Sequence, residues 1–180
     1  MSDARDEAYA RLRASAPRPA IAGDAIDAFC ARFTAQNGRC ARLGAIEELP
    51  EWLDAQFAPA DGSRLSVALA EETALEMLPW ARATRLEPNP AGARPQAALA
   101  VTTAFAGVAE TGALAVHPRR GTPMALNFLP ERLVILVHAD CIVATLEDFW
   151  QHARSRFGTA WPRGLCLVAG PSSSADIEMT

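Results

Sequence analysis

Two short acidic blocks carry most of the side chains in this chain that suit chemistry. In the first, Glu110 stands between Ala109 and the pair Thr111 and Gly112, an acidic step between an apolar run and a strand-like run. A carboxylate so placed suits proton transfer or nucleophilic attack. In the second, Gly170 and Pro171 follow the apolar run 165–169 and lead into Ser172, Ser173, Ser174, Asp176 and Glu178. Hydroxyls at such a point cap a following helix or bind an anion, because the first amides of a helix are unpaired and partly positive. If both blocks sit at strand ends, where open α/β sheets take their ligands, Glu110, Asp176 and Glu178 share one site. Three carboxylates repel an anion unless a metal or arginines intervene. Arg119 and Arg120, in the loop 117–123, are the arginines expected there.

Each of these groups also has a plainer reading. Glu110 can tie down its own turn through the Thr111 amide and a neighbouring Arg. Asp176 and Glu178 can complement a helix dipole, worth ~0.3–1 kcal/mol each. Arg119 and Arg120 can be a solvated loop, and Thr102 and Thr103 can satisfy backbone groups at the end of a strand. The residues alone leave these alternatives open.

Composition removes several classes. All 17 basic residues are Arg, so Schiff-base chemistry and a P-loop lysine are excluded. A net charge of −4 argues against a nucleic-acid binder, which needs a basic face. No G-x-S-x-G, G-x-G-x-x-G or Walker A sequence occurs, and His117, His138 and His152 stand singly without metal-ligand spacing. No metal site is expected. Cys30, Cys40, Cys141 and Cys166 form no C-x-x-C pair and read as small buried hydrophobes. The N-terminal segment lacks the apolar region of a signal peptide, and no apolar stretch is long enough to cross a bilayer, so a cytoplasmic protein is expected.

The elements that must position the acidic blocks follow from periodicity. Residues 2–14 predict a helix within an N-terminal extension, 1–20, ended by Pro17 and Pro19. The remainder, 21–180, reads as one domain. In 24–36, Ile26, Phe29, Cys30 and Phe33 repeat at helical spacing, with Asn37 and Gly38 as the stop. Residues 40–43 suggest a short strand, 47–57 a helix, 64–70 a buried strand and 72–80 a short helix. The Pro-rich segment 82–96 reads as an irregular excursion. Residues 97–103, 112–117, 132–138 and 165–169 read as strands, and 145–157 as a helix capped by Thr145, with Leu146, Phe149, Trp150, Ala153 and Phe157 as its buried stripe. Apolar strands alternating with helices imply an α/β three-layer sandwich with a mostly parallel sheet.

Two blocks also resemble a known family. GVAETGALAV at 107–116 resembles the AETG signature of LUD-domain proteins, specifically the LutC/YkgG lactate-utilization group, and GPSSSADIE at 170–178 resembles its GPS(R/T)xADIE signature. FLPERLVILV at 128–137 fits the LP-then-strand element between them. The chain departs in having Ser173 and Ser174 where the family has Arg-Thr, and in lacking its GVHGP-type loop and last strand. Serine cannot replace a bidentate arginine. The resemblance implies a fold similar to the NagB/RpiA/CoA-transferase group, in which a glutamate followed by a small residue and Gly is the nucleophile. It further implies a component of L-lactate oxidation to pyruvate, with iron–sulfur clusters on partner subunits and no cofactor in this chain. The alternative is a free-standing enzyme or sensor for an acyl or sugar-phosphate ligand. Whether the chain is itself an enzyme stays open at this level.

Overall fold

Asp24 starts the first helix by accepting the Ile26 amide at 3.0 Å, and α1 (Ala25–Ala35) follows. Asn37, at φ 63°, turns the chain out of it, and the Gly38 amide returns to the Phe33 carbonyl at 3.1 Å. This left-handed exit suits Asn and Gly. The computed structural model describes residues 24–90 and 97–170. The expected extension 1–20 and its helix lie outside them.

After a 3-10 turn (Ile46–Glu48) come α2 (Leu49–Phe57), β1 (Leu65–Leu69), the single turn α3 (Thr73–Glu76), β2 (Leu86–Pro90) and β3 (Leu99–Thr103). Then follow β4 (Ala106–Val108), β5 (Ala113–Val116), β6 (Arg132–Leu136), β7 (Ile142–Val143), α4 (Leu146–Phe157) and β8 (Cys166–Val168). The strands form two sheets, ordered β2-β1-β3-β6 and β7-β4-β5-β8. The first is wholly parallel. In the second, β4 runs parallel to β7 while β5 runs antiparallel to β4 and β8.

Layering follows from the alternation of side chains along β4 and β5. Ala106, Val108 and Ala115 pack on Phe149 and Ala153 of α4. Ala109 and Leu114 pack on Phe29 of α1, so the mixed sheet lies between two helices. The parallel sheet buries Val67, Leu69, Leu99 and Val101 with Leu49 and Leu53 of α2. This is the expected α/β sandwich with mostly parallel pairing, divided into two sheets rather than one.

Four local expectations are corrected. Residues 40–43 form no strand. The Pro-rich segment contributes the edge strand β2, because Leu86 is buried at 1% exposure and Arg85 is clamped to Asp54 at 2.6 and 3.0 Å. Prolines are tolerated at such an edge. Trp150 leaves the buried stripe of α4, standing 42% exposed with its ring 6.4 Å from that of Trp161. Cys30 and Cys40 are not separate small hydrophobes but a disulfide, with Cα atoms 5.6 Å apart. Cys141 and Cys166 are free.

Candidate functional site

Glu110 and Thr111 lie in the four-residue turn joining β4 to β5. Its backbone is held on three sides: Ala109 and Glu110 donate to the carbonyls of Val143 and Ala144 at 2.9 Å, and Gly112 donates to Val108 at 2.8 Å. The half-buried Glu110 carboxylate accepts the amide of Leu146, the first residue of α4, at 3.0 Å. A helix start has four unpaired amides. Thr145 accepts a second of these, from Asp148 at 3.2 Å, within a capping box. Glu110 therefore joins its turn to α4, rather than bonding the Thr111 amide and an arginine as the plainer sequence reading has it.

Gly112 and Gly170 bring the Glu110 turn and the end of β8 against the same helix. Gly112 has φ +68°, and a Cβ there would lie 2.7 Å from the Phe33 nitrogen and 2.9 Å from the Arg32 carbonyl carbon. Gly170 has φ +81°, and a Cβ there would strike the carbonyl oxygen of Gln36. Both conformations are open to glycine and costly for other residues. The pairing of Leu114 with Val168 continues toward Gly112 on one strand and Gly170 on the other. The glycines thus flank the last turn of α1. Gln36, which the sequence reading did not select, completes the corner by donating its side-chain amide to the Thr111 carbonyl at 2.8 Å. Its only sequence signal was its place just before the Asn37–Gly38 stop. Ser172, Ser173, Ser174, Asp176 and Glu178 lie outside the described residues.

Arg119 lies elsewhere. It follows the far end of β5, separated from the Glu110 turn by a strand of about 13 Å. There its Nη2 donates to Thr103 Oγ1 and pairs with Glu72 Oε1, each at 2.7 Å, while Thr103 Oγ1 donates to the same Glu72 oxygen at 2.7 Å. Glu72 was another residue missed from the sequence. It follows β1, so this triad sits at the carboxyl edge of the parallel sheet. Arg120 is exposed. The fold therefore does not bring Arg119 to the Glu110 carboxylate, as was expected, but to a different acid.

Beside the triad, His117 is packed edge-on against Phe105 and Phe157, at ring distances of 6.2 and 5.4 Å. Burial lowers its pKa from the ordinary 6.5, opposed by the Pro118 carbonyl and Glu72 and reinforced by Arg119 and Arg156. Along the same sheet edge a groove of about 200 Å³ is lined by Leu69, Ala70, Glu76, Trp80, Pro88, Asn89 and Pro90. That falls below the usual range for drug-sized ligands. Among the described residues no group of three or more His, Cys, Asp or Glu side chains is placed to hold a metal ion. Among them, too, no helix is long and apolar enough to cross a membrane.

The architecture, a parallel sheet joined to a helix-covered mixed sheet, has known counterparts. A solved structure of a DUF162-family protein from Deinococcus radiodurans is similar with a TM-score of 0.59 and 18% identity, covering 81% of this chain and 86% of that one. Residues 95–180 match the family model described as LUD domain. The matched part, just under half of the chain, contains both signature blocks and the Glu110 turn.

Proposed function

We propose that this protein is a LutC-type component of a lactate-utilization system, acting in the cytoplasm with iron–sulfur partner subunits. In that system L-lactate loses two electrons and two protons to become pyruvate, and the electrons pass to clusters on the partners. The observation that supports the reading is the convergence of Gly112 and Gly170 on the last turn of α1, which brings the Glu110 turn and the glycine that opens the second block to one corner. A corner built from glycine turns and backbone contacts is suited to presenting a fixed surface. Within it Glu110 serves as an oriented acceptor, one oxygen being held by the Leu146 amide.

The competing reading is a free-standing enzyme for acyl or sugar-phosphate ligands; the groove of about 200 Å³ beside Trp80 contains none of the residues that reading would use. Affinity purification of the full chain from cells expressing its genomic neighbours tests the proposal. Retention of iron–sulfur subunits, seen as bound iron and sulfide, is the expected result. Recovery of the chain alone under those conditions contradicts it.

A further inference from the structure

The last turn of α1 is enclosed by a covalent ring. Cys30 lies on the helix and Cys40 ten residues later in the exposed segment that follows it. The ring contains Arg32, Phe33 and Gln36, the residues that meet Gly112, Gly170 and Thr111. The Asp27–Arg42 ion pair also joins the same helix to this segment. Its side chains are 69% and 56% exposed, and such surface pairs contribute little. The disulfide is thus the covalent constraint on this surface, acting beside the backbone bonds of Asn37 and Gly38 to Thr34 and Phe33 and the packing of Phe29 on Ala109 and Leu114.

We propose that Cys30–Cys40 is a thiol–disulfide exchange site whose state sets the order of the Glu110–Gly112 turn. The co-reactant is a dithiol, either a small molecule or a dithiol oxidoreductase. Its thiolate attacks Sγ of the exposed Cys40, the S–S bond breaks, and Cys30 leaves as a thiolate and takes up a proton. The second thiol of the reductant then attacks the mixed disulfide, releasing Cys40 as a thiol. In total the dithiol loses two electrons and two protons to become a disulfide, and the protein disulfide gains them. Arg39 and Arg42 flank Cys40 and favour an approaching thiolate. Once the ring is open, the Gln36 turn keeps its backbone bonds from Asn37 and Gly38 but loses its covalent tie to residues 39–43. The Thr111 carbonyl then loses a fixed donor.

The test uses the full chain purified in air without reductant. Maleimide labelling after denaturation, read by intact mass, is expected to modify two thiols before treatment with dithiothreitol and all four cysteines after it. Hydrogen exchange at the Gly112 amide, bonded to Val108, is expected to be on the order of tenfold faster in the reduced protein and in Cys40→Ser. Labelling of four thiols without reductant overturns the proposal. Equal exchange in oxidised and reduced wild type does so as well, and this comparison stands even if Cys40→Ser fails to fold.

Discussion

Gln36 holds Thr111 across 75 residues of sequence: its side-chain amide donates to the Thr111 carbonyl at 2.8 Å, while its own carbonyl closes against Gly170. One residue at the end of a helix thereby couples two chain-distant turns. Replacing it with Ala leaves a part-buried carbonyl without this donor. A loss of about 1 kcal/mol in urea unfolding is expected. An unchanged midpoint would show that the contact carries no weight.

Gly112 and Gly62 form a matched pair for measuring what the α1 contact demands. Both have positive φ, at +68° and +78°, but a Cβ at Gly62 meets nothing within 4 Å whereas one at Gly112 meets backbone of Arg32 and Phe33. Gly62→Ala is expected to cost about 1 kcal/mol, for the conformation alone. Gly112→Ala adds a clash with rigid backbone, and a total of about 3 kcal/mol is expected. Equal costs in parallel denaturation curves would place α1 away from the turn.

Glu110 contributes to stability through the start of α4. Glu110→Ala removes the acceptor of the Leu146 amide and is expected to cost about 1 kcal/mol. Glu110→Gln keeps an acceptor and removes the charge, so a loss of about 0.5 kcal/mol is expected. Circular dichroism during thermal unfolding reads both. If Gln were as damaging as Ala, charge and not hydrogen bonding would be the important property.

The elements with strong periodicity were legible before any coordinates. In α1 and α4 the caps and apolar spacing, and in β3 the apolar run, agree with the burial finally adopted, except that Trp150 of α4 turns outward. The strands β4 and β7 were not, because they have three and two residues and gain their stability from pairing with each other, which no local pattern encodes. The Pro-rich edge strand β2 was hidden for a related reason: its anchor is the tertiary clamp of Arg85 on Asp54. At the site, the Ala-Glu-Thr-Gly turn was visible by residue type. The partners of Glu110 and Arg119 were not, since Leu146 contributes only a backbone amide and Glu72 lies 47 residues before Arg119, after a strand of the other sheet. The Cys30–Cys40 pairing was missed because a spacing of ten carries no recognised signature.

His117 makes stability depend on pH with a defined sign. Burial holds its folded-state pKa below 6.5. As pH falls the unfolded chain takes the proton first, so the residue's contribution is complete above about 6.5 and is lost as pH drops through the lower folded value. His117→Phe keeps the ring contacts with Phe105 and Phe157 and does not titrate. Between pH 8 and pH 5 wild type is expected to lose more stability than this variant in urea titrations. Parallel losses would assign the pH dependence to other groups.

Lactate oxidation by the reconstituted system tests the proposed function most directly. Partner iron–sulfur subunits are assayed anaerobically for L-lactate-dependent reduction of an artificial electron acceptor, with and without this chain. The expected result is a rate at least tenfold higher when it is present, with Gly112→Ala failing to restore it. Equal rates in the presence and absence of the wild-type chain would contradict the assignment.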